Sequence, residues 1–414
     1  MAKSTPYFTG ARLREGREAR GLTVTTLADL LGVAKQSVSF YENGHQIPRF
    51  DMVEKMSAVL NLPLQFFIGE STEAESALFR SRKSAADISR LRAKRKLSWL
   101  VNAVQYLKTS LDFPKVNVPH LAQDVNPLSL SIQQIEDSAY QVRELWGLGD
   151  KIIGNLTALL EANGVIIGCI DLSDDLLQGL SRWYDKDNSP YVLLNSEMGT
   201  PSRKRLTLAY ELGRLVLHRY VILDEHTPKD QKLLEQQAYL FGSSFLMPAS
   251  TFRLNFYTPS LDVFQTRKLQ WKVSIAAMIH RSQDMGLLDK ERAKSLWIGY
   301  ARRGWKQREP FEEQVPFEEP NLLKAGMSQL LDGSYLSVED FLSNIPYGSH
   351  DIEELCSLPK YSFHHRAMQA IAPKLRAAGQ EVTVEYLGQT TLLKLGQRKE
   401  DILSDTAQTK GASG

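Results

Sequence analysis

The 414-residue chain has only two cysteines, Cys169 and Cys356. Two thiols so far apart exclude a disulfide framework and a zinc knuckle, and they are expected to stay reduced in a cytoplasmic protein. Long apolar runs are missing as well. No stretch reaches the roughly 18 residues that a membrane span needs. The opening segment MAKSTPYFTGARLREG lacks the apolar core of a secretory signal. Internal repeats, a phosphate-binding loop and a nucleophile triad are also absent from the sequence. Charge of one sign is not in large excess, with 50 Lys and Arg against 48 Asp and Glu. What remains is an ordinary globular composition, 43% apolar and 24% charged, long enough for two or three domains.

The near-neutral total hides an asymmetry. Residues 1–110 hold 17 basic residues against 10 acidic, and the remainder is net acidic. Arg80, Arg82, Lys83, Arg90, Arg92, Lys94, Arg95 and Lys96 face one acid, Asp87, within a short stretch. A basic N-terminal part suits a module that binds a polyanion, and a solvated helix face is the plainer alternative.

Residues 8–69 read as five short helices. Gly21 ends the first and Thr23 caps the second. Leu27, Leu30 and Leu31 share a helix face, which points to a core. Gly32 permits the left-handed backbone of a tight inter-helix turn. The third helix runs from about Ala34 to Glu42, with Val38 and Tyr41 inward, and Asn43-Gly44 ends it. A fourth covers Arg49 to Leu60, and Pro63 opens a fifth, with Phe66 and Phe67 at the base of the core. A helix placed by such a turn offers its exposed side chains to a DNA groove. Lys35 can donate to guanine or phosphate, Gln36 can pair with adenine, and Phe40 can touch a thymine methyl. Ser37, Ser39 and Arg49 complete the candidate DNA-contacting set. A mere helical bundle would not explain the turn, the cap and the exposed polar pattern together.

The segment LADLLGVAKQSVSFYENGHQIPRFDMVEKMSAVLNLPLQFF resembles the Xre/Cro family of bacterial and phage regulators. That resemblance implies double-stranded DNA as partner, a palindromic operator and a homodimer. The chain departs from the family at Val24, where Gln is usual, and at Ala34, which cannot cap through a side chain.

From Glu75 onward Ile88, Leu91, Leu97, Leu100, Val101, Val104 and Leu107 form the apolar stripe of a long helix, expected as a connector over residues 71–125. Its expected role is packing against the next domain or a second subunit, and its basic first half, Arg90 to Lys96, is a candidate for extra phosphate contacts.

Residues 126–300 switch to mixed α/β. Helices are expected at 131–146, 151–162, 201–219, 230–245 and 273–285, with strands at Val165–Ile170, Ser181–Tyr184 and Tyr191–Ser196. RKRLTLAYELGRLVLHRY, EQQAYLFGSSFLMPAS and WKVSIAAMIHRSQDMGLL together resemble the ImmA/IrrE metallopeptidase family, which implies a zincin-like fold. In that family a helical His-Glu-x-x-His binds zinc, its Glu acts as general base, and a Glu on the next helix is the third ligand. On this alignment Tyr210 and Arg214 stand where the two His would be. Glu211 is kept, and Glu235 falls at the third-ligand position, with Gln237 close by. Arginine stays protonated and cannot ligate zinc. The expectation is therefore a pseudo-metallopeptidase with no metal and no cofactor, zinc entering only if the altered site still functions, and then with Glu211 as the catalytic group. Tyr210, Arg214 and His218 form one stripe beside Glu211. Arg214 is expected to pair with Glu235 or Glu211 in place of the metal, and His218 to be a hydrogen-bonded core or cap residue.

Residues 310–400 read as a small α+β region. It starts with an acidic, Pro-bearing linker, continues through helices near 321–332 and 337–344, and ends in two short strands within GQEVTVEYLGQTTLLKLGQ. The adjacent pair His364-His365 lacks metal-ligand spacing, and 401–414 reads as a disordered tail. The whole reads as multidomain α+β: an all-α helix-turn-helix domain at 1–70, a zincin-like domain and a mostly helical C-terminal region. The expected function is a cytoplasmic, sequence-specific transcriptional regulator, a repressor in the first instance. Its altered domain would serve sensing, dimerisation or binding of a protein partner or small-molecule effector. An active peptidase that cleaves a repressor or itself is the enzyme alternative, and an antitoxin-like autoregulator the partner-binding one.

Overall fold

The computed structural model describes residues 8–68, 85–172, 177–197, 199–222, 225–332, 335–366, 382–386 and 389–393. Its first part is helical: α1 (Gly10–Ala19), α2 (Val24–Leu31), α3 (Lys35–Glu42) and α4 (Phe50–Leu60). Thr23 caps α2 by accepting from the Thr26 amide at 3.0 Å, and Gly32 turns the chain with φ 65°. The expected fifth helix is a single 3-10 turn, Leu64–Phe67, too short for an α-helical repeat. Phe66 and Phe67 are buried there.

A long helix, α5 (Ala85–Leu107), follows. The next segment holds α6 (Ile132–Leu145), α7 (Leu156–Ala162), β1 (Ile166–Ile170), β2 (Gly179–Tyr184) and β3 (Ser189–Asn195). Then come α8 (Pro201–Leu217), α9 (Pro228–Leu246), α10 (Ala249–Asn255), α11 (Leu261–Trp271), α12 (Ile275–Asp284) and α13 (Lys290–Arg302). The C-terminal part adds α14 (Leu322–Asp332), α15 (Val338–Asn344), α16 (Ser349–Leu355) and a hairpin of β4 (Val382–Tyr386) and β5 (Gln389–Leu393). The α+β class expected from the sequence is what the chain adopts. The tail at 401–414 lies outside the described residues. None of the described helices is long and apolar enough to cross a membrane.

The β1–β3–β2 sheet, parallel between β1 and β3 and antiparallel between β3 and β2, divides two cores. Alternation along a strand sends successive side chains to opposite faces. Ile166, Ile170, Tyr191 and Leu193 face one core, and Ile167, Val192 and Leu194 face the other. The second core holds α8, α9 and the helices after them. The first is shared by the helix-turn-helix, α5 and the C-terminal helices.

Helix α5 packs within that shared core, and most of its basic half, read as a candidate for phosphate contacts, is engaged inside the protein. Arg95 donates to Glu18 of α1 at 3.0 Å. Arg92 donates to the carbonyls of Leu172 (3.0 Å) and Asp171 (3.2 Å). Lys96, 1% exposed at its side chain, pairs with Asp351 of α16, which also takes a two-pronged contact from Arg20, the cap of α1, at 2.6 and 2.8 Å. Arg92, Arg95 and Lys96 are thus engaged from within the protein, so they are not open to phosphate. Arg90 is exposed, and Arg80, Arg82 and Lys83 lie outside the described residues. Trp99 completes the junction. Its indole donates to Glu15 at 2.8 Å and stacks on Tyr347 with centroids 4.7 Å apart, and Lys96 sits 4.3 Å from its ring centroid.

The acidic stretch after α13 is also not a linker. Glu309 accepts from the first amides of α12, at Ile275 and Ala276, and Glu312 from Ser202 of α8. Glu318 accepts from Leu156 and Thr157 of α7. Carboxylates at helix N-termini satisfy orphan amides and oppose the helix dipole. Buried Lys268 bridges Glu309 and Glu312, at 2.7 and 2.5 Å, and Arg205 pairs with Glu318.

Burial raises the Asp351 carboxyl, but Lys96 and Arg20 outweigh it and hold the group below the usual range. Asp351→Asn would leave a buried ammonium without its counter-ion. We expect about 3–5 kcal/mol of lost stability, measured by denaturant unfolding of the full chain. A loss under about 1 kcal/mol would show that the junction does not depend on this pair.

Candidate nucleic-acid interface and central cleft

Helix α3 is held from behind. Arg17 of α1 clamps Glu42 at 2.5 and 3.0 Å, both side chains being buried, and Arg17 also donates to the Leu22 carbonyl. Arg14 reaches Asn43 at 2.7 Å, and Asn43 donates to the Ser39 carbonyl, closing the end of α3. Val38 and Tyr41 face the core. This bracing leaves Lys35, Gln36 and Phe40 exposed along one side, with Ser37 and Ser39 half-buried beside them and Arg49 exposed at the start of α4. Ala34 precedes α3 without a side-chain cap, so no side chain of its own blocks the first amides. The exposed His45 lies edge-on to Phe40 at 6.0 Å, a neighbour the sequence did not single out. Arg14 and Arg17 were missed too, because their partners lie 25 to 29 residues away.

The second site lies on α8. Helix α9 crosses α8 closely enough that a Cβ on Gly242 would meet the Tyr210 amide nitrogen at 2.8 Å. The side of α8 toward the sheet carries Glu211, 2% exposed, whose Oε2 accepts from Ser181 of β2 at 2.5 Å. Burial pushes the Glu211 carboxyl up, against the opposing field of Arg214 and the Ser181 hydrogen bond. His218 ends α8 and meets Gln237 of α9 at 3.0 Å, while Gln237 donates to the Pro127 carbonyl. Burial brings the His218 imidazole down to about 4, so it is neutral at physiological pH.

The pair expected between Arg214 and an acid does not form. Glu235 points to solvent, since its turn of α9 buries Leu234, Gln237 and Ala238 instead. Glu211 is turned to the sheet by Ser181. Arg214 and the Tyr210 hydroxyl make no hydrogen bond or ion pair among the described residues. Of the five residues on this part of α8 and α9, the structure joins His218 only to Gln237, and Glu211 only to the sheet. Among the described residues no three His, Cys, Asp or Glu side chains are grouped to hold a metal ion. Of the two carboxylates expected at the stripe, Glu211 is buried against the sheet and Glu235 is exposed, so the donor set among the described residues does not fit zinc.

A helix-turn-helix family model matches residues 13–67, and an IrrE N-terminal-like domain model matches residues 167–283. This chain fuses a helix-turn-helix domain to an IrrE-like domain. Over 67 residues the helix-turn-helix part is 40% identical to an HTH-type transcriptional regulatory protein of Pyrococcus furiosus, covering 16% of this chain and 21% of that one. It is 34% identical over 67 residues to the HTH-type transcriptional regulator SinR of Bacillus licheniformis, covering 16% of this chain and 60% of the relative. The chain thus spans about a fifth and three-fifths of these two relatives. The IrrE-like match begins in β1 and ends in α12, so α8 and α9 both fall inside it.

His218 gives the IrrE-like domain a testable acid sensitivity. Its folded value near 4 lies below its ordinary 6.5, so the unfolded chain binds the proton first. Stability is therefore unaffected by this group above about pH 6.5 and falls as pH drops toward 4, by up to about 1.4 kcal/mol per unit. His218→Asn is expected to flatten that part of the stability profile, measured by urea unfolding between pH 7 and 4.5. An unchanged slope would mean that other groups carry the acid response.

Proposed function

We propose that the protein is a sequence-specific DNA-binding transcriptional regulator, acting as a repressor and as a homodimer on a palindromic operator. One observation carries this reading. A helix inside the helix-turn-helix match is braced by buried ion pairs and presents Lys35, Gln36 and Phe40 on its free side. A braced helix places its base-contacting groups repeatably, which is what direct readout of a major groove requires. The names of the two relatives, both transcriptional regulators, point the same way. Gln36→Ala is expected to weaken binding to the selected operator by about 1–3 kcal/mol and to spare binding to unrelated duplex, as read by fluorescence anisotropy at fixed salt. Equal weakening on both duplexes would remove the base-reading role.

We infer further that the IrrE-like domain has lost its zinc ligands, Tyr210 and Arg214 replacing the two His. It would serve sensing, partner binding or dimerisation rather than peptide hydrolysis. The support is chemical: a guanidinium cannot ligate zinc, and Glu211 is occupied by Ser181. The test is elemental analysis of unchelated protein beside a Tyr210→His/Arg214→His double variant. The reading predicts negligible zinc in the natural chain and a gain in the variant. Near-stoichiometric zinc in the natural chain would favour the active-peptidase alternative.

A further inference from the structure

The side of α8 away from both cores carries Arg203, Thr207, Tyr210 and Arg214, each three or four residues from the next. Residues at these spacings lie along one strip of a helix. All four side chains can donate hydrogen bonds, and the helix's sole acid, Glu211, is turned away to Ser181. The outer two are satisfied. With its amide oriented to suit both neighbours, Gln178 accepts from Arg203 at 2.5 Å and donates to Thr207 at 2.8 Å. The inner two, Tyr210 and Arg214, have no hydrogen bond or ion pair among the described residues, although both are half-buried. His218, next on the strip, is committed to Gln237. Glu235, the nearest acid on α9, is exposed and beyond ion-pair distance.

We propose that Tyr210 and Arg214 form a binding site for an oxyanion, the carboxylate or phosphate group of a small ligand. The inference rests on the reading that this cleft holds no zinc. Arg214 is half-buried and has no ion-pair partner among the described residues, an arrangement that a bound anion would relieve. The guanidinium fork matches the two oxygens of a carboxylate or phosphate, and the phenol supplies a third donor from one turn earlier. A cation beside a neutral donor selects an oxyanion over a neutral or cationic ligand. Such a site gives the IrrE-like domain a chemical input. The sheet that packs on α8 also packs on α5, so the site lies one layer from the core that carries the helix-turn-helix.

The test is isothermal calorimetry of the full chain with inorganic phosphate and, separately, succinate. We expect at least one to bind, Arg214→Met to weaken it by about tenfold or more, and Tyr210→Phe by a few-fold. Arg214→Lys is expected to retain part of the affinity, and Lys35→Ala all of it, which separates this site from phosphate binding on the DNA-reading helix. Preference for succinate assigns a carboxylate ligand and preference for phosphate a phosphorylated one. No binding of either anion, or unchanged binding in an Arg214→Met protein with native circular dichroism, overturns the proposal. Should Arg214→Met fail to fold, Tyr210→Phe and Arg214→Lys decide it. Zinc content of the same sample keeps the two failures apart. Zinc-free protein that ignores both anions sinks only this site, whereas anion binding lost on chelation sinks the zinc-free reading with it.

Discussion

The buried contact among Lys96, Asp351 and Arg20 sets the organisation of this molecule. Lys96 belongs to the long helix, Asp351 to a C-terminal helix, and Arg20 caps the first helix of the helix-turn-helix domain. Three stretches far apart in sequence are brought together at one carboxylate. Charges taken out of water must be matched closely, which fixes how the three elements meet. Burial lowers the Lys96 ammonium to about 8 even with Asp351 opposing the shift, so the pair is ionised at neutral pH. Trp99, bonded to Glu15 and stacked on Tyr347, adds an apolar plate to the same joint. The helix-turn-helix therefore shares a core with the body and is not a bead on a string.

The rest of the architecture extends from that joint through the three-stranded sheet. One sheet face closes the shared core, and the other supports α8 and α9. Glu309, Glu312 and Glu318 then tie the start of α12, α8 and α7 to the segment that leads on to the C-terminal helices. Glu161 returns the favour at Asn321 and Leu322, the start of α14. Helix ends that would otherwise carry unsatisfied amides are thus secured by carboxylates from distant segments. Packed elements connect α8 to the helix-turn-helix: the sheet packs on α8 and α5, and α5 packs on α1.

What could be read from the sequence follows from the range of the physics involved. Thr23, Gly32 and the spacing of Leu27, Leu31, Val38 and Tyr41 act within a few residues, so the helix-turn-helix was legible almost to its ends, although Leu30, read onto the same core face, is 50% exposed. The same holds for α8, α9 and the three strands, whose periodicity is local. Contacts between distant segments were not legible. Arg92, Arg95 and Lys96 look like a phosphate-binding run until Glu18, Asp351 and the 171–172 carbonyls are seen beside them. PFEEQVPFEEP looks like a linker until its glutamates are found on helix ends. Helices α11, α13 and α16 escaped because their apolar faces are short or broken by charge. At the cleft, the sequence placed Tyr210, Glu211 and Arg214 side by side. It did not reveal that Ser181 would claim Glu211 or that Glu235 would face solvent.

These features make one account: a helix-turn-helix with a braced, exposed helix, built onto an IrrE-like body with which it shares a core. Its central claim is that the protein recognises DNA sequence. The most direct measurement is selection of a randomised duplex pool by the purified full chain, followed by sequencing of what is retained. The account predicts enrichment of a motif with two-fold symmetry. Recovery of the pool without enrichment at moderate salt would contradict it, leaving only charge-driven association.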